Sequence, residues 1–240
     1  MAGQINLGTP FGDWLRRLAA DPAYKTFLDV GAWNGCGSTL CLAAGVAERH
    51  DGAEIWSVEG DRHRAEEAQR LIIDWWALHN SEKPVLPSHP YKVVSDILKK
   101  NRGGKRTCPV RLFYGRIAED MMTVPDICTH PRFPEVEVHF RLHYQNELAC
   151  LREAPLLPFK KHFDVVVLDG GEFSGRWDWK AAANFTPTVV CLDDTRTMKN
   201  CDTLEQLLRE GWELLAAGAD RNGWAILKRP ALGESAPLEK

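Results

Sequence analysis

The chain has no apolar run near the ~20 residues that a bilayer-spanning helix needs, so no membrane span is expected. Met1–Thr9 also lacks the basic and apolar blocks of a signal peptide, and the expected location is the cytoplasm. There is no basic excess: 30 Lys+Arg stand against 33 Asp+Glu, a formal charge of −3. Binding to nucleic-acid phosphates or an anionic membrane is therefore disfavoured. The seven cysteines are odd in number and never stand as CxxC, which speaks against a zinc ribbon or a disulfide framework. Reduced thiols packed as small apolar groups are expected instead. Two phosphate-binding signatures are missing as well. Gly-Lys-Ser/Thr occurs nowhere, and Gly-x-Gly-x-x-Gly would need glycine where Trp33 stands.

What is present is an ordinary globular composition, 44% hydrophobic and 26% charged over 240 residues. Without a repeat or an interdomain linker, residues 1–240 read as a single domain. Phe11, Trp14, Leu15 and Leu18 share a helical face, predicting a short helix over 11–20 that ends before Pro22. Thr26–Val30 reads as a strand, Gly31–Ser38 as a glycine-rich loop and Thr39–Arg49 as a helix. Glu54–Val58 is a second strand, followed by a long helix over Arg62–His79. Ser81–Thr107, with three prolines, reads as an insertion containing a short helix around Val93–Lys100. Val110–Ile117 alternates like a strand, and Val136–Leu151 is a candidate helix. The β-branched runs Phe163–Leu168 and Thr188–Leu192 have the character of strands buried on both faces. A helix over Thr203–Glu210 and strands over Trp212–Ala217 and Trp224–Lys228 close the domain, and residues 233–240 form a loose tail.

Strands that alternate with helices imply an α/β fold: three layers, doubly wound, with a mostly parallel sheet. In such a sheet the functional residues gather beyond the carboxyl ends of the strands. The glycine loop and the strand-end acids Glu59, Asp169, Asp193 and Asp194 all follow apolar runs and would meet at that edge.

The first strand and loop read DVGAWNGCGS, with Asp29 ahead of Gly31, Gly35 and Gly37. This pattern resembles the first motif of the class I S-adenosylmethionine-dependent methyltransferases. The resemblance spans Phe27–Arg229 and implies a seven-stranded sheet whose last strand is antiparallel. It also implies S-adenosylmethionine as cofactor and a methyltransferase activity. In that reading Asp29 serves the methionine end of the cofactor, while Gly31 and Gly35 let the backbone approach it. Glu59, 28 residues after Gly31, offers two carboxylate oxygens to the ribose diol, with Asp61 as a competitor. Arg116 and Ile117 lie along the adenine. Asp29 as a helix cap, and the glycines as mere turn residues, are the structural alternatives.

Asp169 and the pair Asp193-Asp194 end neighbouring strands about 4.8 Å apart and could converge on one hard cation. The set resembles the metal site of Mg²⁺-dependent small-molecule O-methyltransferases of the macrolide-sugar and catechol types. That likeness gives Asp169, Asp193 and Asp194 as metal ligands and Asp169 and Asp193 as catalytic residues. Mg²⁺ and a small-molecule hydroxyl acceptor, on a sugar or natural product, then follow. Glu172 stands where catechol-type enzymes carry a lysine, so the general base is unassigned, and Asp194 or Thr195 could instead cap a helix. The alternative functions are a catalytically silent cofactor-binding module and an NAD-dependent oxidoreductase. His139, His143 and Glu147 form an i, i+4, i+8 stripe read as a solvated helix face. Trp177 and Trp179 could wall the acceptor pocket or pack on the sheet. The cluster Lys99, Lys100, Arg102, Lys105 and Arg106 could meet an anionic substrate.

Overall fold

The computed structural model describes residues 5–49, 51–80 and 108–230. The expected insertion with its helix and basic cluster, and the tail over 233–240, lie outside the described residues. The described residues form seven strands: β1 (Thr26–Val30), β2 (Glu54–Glu59), β3 (Val110–Tyr114), β4 (Val165–Leu168), β5 (Val189–Asp193), β6 (Glu213–Gly218) and β7 (Trp224–Lys228). The helices are α1 (Pro10–Ala20), α2 (Ser38–Ala47), α3 (Arg62–Asn80), α4 (Val124–Thr129), α5 (Phe133–Val136), α6 (Phe140–Glu153), α7 (Gly175–Ala182) and α8 (Cys201–Arg209).

The strands join in one sheet in the order β3-β2-β1-β4-β5-β7-β6. All pairings from β3 to β5 are parallel, and β7 runs antiparallel between β5 and β6. The expected sheet is the one observed, including its antiparallel last strand.

The strand residues explain the three layers. Along β1, β4 and β5 successive side chains go to opposite faces, and both faces are apolar. Phe27, Val165, Val167, Val189 and Cys191 enter one core with Leu15 and Leu18 of α1, Leu42 of α2 and Ile72 of α3. Leu28, Val166, Leu168, Val190 and Leu192 enter the other, with Trp179 of α7 and Leu207 of α8. A helix crossing over from each parallel strand covers both faces at once.

Three local expectations change. The helix expected over Val136–Leu151 starts only at Phe140, as α6, after a turn at residues 137–139 that separates it from the short α5. The strand expected to run to Ile117 ends at Tyr114, because Arg116 pairs instead with Leu156 in an isolated bridge. Trp179 is 4% exposed and packs edge-on against Trp212, so it belongs to the core and not to a pocket wall.

Candidate cofactor and acceptor site

The strand order reverses between β1 and β4, and a pocket of about 1060 Å³ opens there, at the carboxyl ends of β1–β4. Gly31, Glu59, Arg116, Ile117 and Asp169 line it. Asp29, Gly35, Asp193 and Asp194 are not in its lining.

Gly31 sits where β1 leaves the sheet, with φ +93°. A Cβ there would lie 2.2 Å from the Asp169 carbonyl oxygen. Its glycine character lets the β1–α2 loop meet the β4 terminus, which draws Asp169 to the rim of the first strand. Gly35, with φ +78°, faces α3: its Cβ would meet Ala68 and Ile72 at 3.1 Å. That close approach serves helix packing and not the approach of a ligand expected for it.

Asp29 is wholly buried, on the face of β1 that looks toward α2. Its Oδ2 accepts from Thr39 Oγ1 at 2.5 Å and from Ser57 Oγ at 2.9 Å. Burial pushes its carboxyl above the ordinary value, against the hydrogen bonds from Thr39, Ser38 and Ser57. Asp29 thus ties the start of α2 to β1 and β2, one layer beneath the pocket. Asp29 stands one residue inside the strand end, under α2 and outside the pocket lining, so the expected direct contact with a cofactor is not the geometry found.

Glu59 ends β2 at the pocket rim. Its Oε2 accepts the backbone N–H of Trp33 at 2.6 Å and its Oε1 that of Asp61 at 2.8 Å. The carboxylate is therefore held between the glycine loop and the start of α3, with lone pairs to spare for a diol. Trp33, with φ +47°, puts its indole under the Arg64 guanidinium, 5.4 Å from the ring centre. Burial raises Glu59 to about 7 against the backbone bonds from Asp61 and Trp33. Asp61, the competitor, accepts from Arg64 N at 2.9 Å and is engaged at the first turn of α3. On the far wall, Arg116 spends its guanidinium on the carbonyls of Ala154 and Ala118, and Ile117 supplies an apolar floor.

The acids beyond β4 and β5 do converge. One oxygen each of Asp169, Asp193 and Asp194 lies within 4.8 Å of the others. A lysine, Lys199, is found among them. Its Nζ donates to Asp169 Oδ1 at 2.5 Å and to Asp194 Oδ2 at 3.1 Å, and the side chain is 7% exposed. Arg221, from the β6–β7 turn, pairs with Asp193 Oδ2 at 3.1 Å. Burial disfavours the Lys199 charge, but Asp169, Asp194 and Asp193 outweigh it and raise its pKa above the ordinary value. Asp193 is pushed up to about 8 by burial and by neighbouring Asp169. Asp194 is held below the ordinary carboxylate range because Lys199 outweighs its burial. Asp194 adopts φ +53° in a turn, and α8 starts only at Cys201, so neither Asp194 nor Thr195 caps a helix.

Two further acids enter this wall. Glu147 accepts the backbone N–H groups of Glu172 and Phe173 at 2.6 and 2.9 Å. Asp178 accepts from Ser174 Oγ at 2.9 Å. Burial raises each to about 7. Gly171 and Gly170 make room for them: Cβ atoms there would meet Glu147 Oε2 at 2.3 Å and Asp178 Oδ2 at 2.7 Å. Glu147 therefore leaves the solvated stripe expected of it, while His139 and His143 stay exposed. Residues taken one at a time do not reveal Glu147, Asp178, Lys199 and Arg221 as members of this wall.

A second cluster, His130, Cys201 and Asp202, brings three ligand-type atoms together outside the pocket. His130 Nδ1 accepts the Arg132 N–H at 3.1 Å, so the neutral ring carries its proton on Nε2. Nε2 faces Asp202 Oδ1 at 3.5 Å and Cys201 Sγ at 3.9 Å. With Nδ1 engaged as an acceptor, the Nε2 proton faces Asp202 and Cys201, a polar contact between the end of α4 and α8.

No protein-family model matches the chain, and no curated protein matches its sequence. Solved structures do match in shape. An O-methyltransferase from Bacillus cereus in complex with SAH aligns at TM-score 0.52 and 13% identity, over 95% of this chain and 84% of that one. A methyltransferase from Geobacter sulfurreducens gives TM-score 0.52 and 12% identity, over 95% and 81%. The O-methyltransferase of tomaymycin synthesis from Streptomyces achromogenes, in complex with SAM, gives 0.50 and 13%, over 93% and 81%. At these identities the likeness is one of fold: the chain has the Rossmann-like α/β architecture of these proteins.

Proposed function

We propose that this protein is an S-adenosylmethionine-dependent methyltransferase acting on a hydroxyl of a small molecule. The observation that carries the proposal is Glu59, fixed by two backbone N–H groups at the rim of a pocket that Gly31 opens. A carboxylate so held offers its remaining lone pairs to a ribose diol, and Ile117 and Ala118 give an apolar wall for a base. The pocket volume suits a nucleoside-sized ligand together with an acceptor. Trp33, projecting from the loop with φ +47°, occupies the place where a pyrophosphate would need bare backbone, which weighs against the oxidoreductase alternative. The bound proteins of the same fold carry SAM or SAH, which supports the same ligand here.

When bound, the cofactor supplies an electrophilic methyl group on a sulfonium. The chain's task is then to orient the acceptor in line and to manage its proton. Asp169, Glu172, Asp178, Glu147 and Lys199 line the pocket beside the Gly170-Gly171 turn and form its polar end. The charge pattern is mixed, which suits a neutral polar acceptor better than a polyanion. The Mg²⁺ expected at the three acids does not fit with Lys199 already bonded to two of them, and no metal step enters the proposal.

Calorimetric titration with SAH tests the reading. One site is expected, weakened about 100-fold by Glu59→Ala, the loss of two charge-assisted hydrogen bonds or ~3 kcal/mol. Glu59→Gln, which keeps one acceptor oxygen, should cost about tenfold. No binding of SAH by the intact protein would remove the proposal, and binding of NADH in its place would install the oxidoreductase.

A further inference from the structure

We propose that the Lys199 ammonium is the built-in counter-cation of the Asp169–Asp193–Asp194 cluster and closes that cluster to divalent metal ions. Three strand-end carboxylates crowded within 4.8 Å demand positive charge. In a metal-dependent site an exchangeable ion provides it. Here the chain does so itself.

Geometry makes the two solutions exclusive. A Mg²⁺ ion takes oxygens at about 2.0–2.1 Å in an octahedral shell. Lys199 Nζ stands 2.5 Å from Asp169 Oδ1 and 3.1 Å from Asp194 Oδ2. An ion bonded to those same two oxygens would lie inside van der Waals contact of the ammonium and be repelled by its charge. Arg221 occupies the third acid, Asp193, from the other side.

The backbone that carries Lys199 is anchored. Its neighbour Asn200 donates from Nδ2 to the carbonyls of Leu168 at 3.0 Å and Asp193 at 2.7 Å, clamping the ends of β4 and β5. On the other side the Lys199 carbonyl rests on the first residue of α7, where a Cβ on Gly175 would come within 1.8 Å of it. The lysine backbone is thus wedged between two strand ends and a helix, and its side chain is 7% exposed. Two of the three ammonium protons have acceptors, and Lys199 lines the pocket, so the third can be offered to an oxygen there.

The cluster geometry carries this proposal. Its meaning for catalysis, a fixed cation beside the acceptor in place of an exchangeable one, rests on the methyltransferase reading. Mn²⁺ as probe, followed by the loss of its free-ion EPR signal, separates the two. Wild-type protein, titrated at millimolar Mn²⁺ with and without SAH, should leave the free-ion signal unchanged. Lys199→Met, which keeps the length and removes the charge, should withdraw one equivalent of Mn²⁺ from that signal. Lys199→Gln serves the same purpose should the methionine variant fail to fold. Binding of one Mn²⁺ by the wild type, abolished by Asp193→Asn, would overturn the inference. So would folded Lys199 variants that still bind none. Failure of SAH to bind leaves this measurement intact and strikes only the methyltransferase reading.

Discussion

Gly31 shows how much one residue can decide. Its φ of +93° and the 2.2 Å approach of a Cβ to the Asp169 carbonyl make any side chain there both strained and in collision with backbone. Backbone cannot yield as the end of a flexible side chain can. Gly31→Ala should therefore destabilise the fold by about 3 kcal/mol or more, among the large single-residue effects. Gly171→Ala makes the contrast. Its Cβ meets the far end of Glu147, a side chain that can shift where backbone cannot but only by straining its bonds to the Glu172 and Phe173 N–H groups, so the loss should be smaller, about 2 kcal/mol. Urea denaturation of the two variants checks the order. A Gly31→Ala protein as stable as wild type would mean that the loop does not press on β4 as described.

Among the described helices, α1 and α2 are packed backbone to backbone, and Gly45 in the middle of α2 explains it. A Cβ there would lie 2.2 Å from the Arg16 carbonyl and 2.7 Å from Ala19 Cβ. The two backbones touch, which lets α1 lay Leu15 and Leu18 into the core under β1. Gly45→Ala gains helix propensity but must part the helices, and a net loss of about 2–4 kcal/mol is expected from thermal unfolding. At this scale the sequence was a good guide. Runs such as FDVVVL and TVVCL are apolar on both faces, so strand and sheet type followed from them, and the alternation with helices gave the layers. Depth was harder. Asp29 and Glu59 share one face of the sheet, since Asp29 pairs with Ser57 two residues before Glu59, yet Asp29 lies buried beneath α2 while Glu59, the last residue of β2, reaches the pocket rim. Lys199 and Arg221 were not legible as site residues: each lies in a turn, Lys199 reaches Asp169 only through the pairing of β4 with β5, and Arg221 reaches Asp193 only through the pairing of β5 with β7. Glu147 likewise reached the pocket through the packing of α6 on the Gly170-Gly171 turn, which helical periodicity alone does not reveal.

The molecule as a whole places several acids where they are poor as ions. Glu59, Glu147 and Asp178 stand around one pocket, and burial raises each to about 7 from ordinary values of 4.5, 4.5 and 3.8. Each holds its proton more tightly in the folded chain than in the unfolded one. The stability they contribute is therefore complete below about pH 4 and is lost as the pH climbs through about 7. Asp164 works the other way: its bonds from Lys25 and Thr26 outweigh burial and lower its pKa, so its contribution disappears only at acid pH. Between these limits the free protein should melt at a lower temperature at about pH 8 than at about pH 5.5. Glu147→Gln and Asp178→Asn should each flatten that slope, and a slope unchanged in both would show that the pocket acids are not its source. On the proposed function, affinity for the cofactor should run in the opposite direction. A diol donates more strongly to an ionised Glu59, so SAH binding should tighten as the pH rises through about 7, and Glu59→Gln should remove the dependence. A pocket that binds best at the pH where the free fold is weakest gains more stability from its ligand there. The rise in melting temperature on adding saturating SAH should accordingly be larger at about pH 8 than at about pH 5.5.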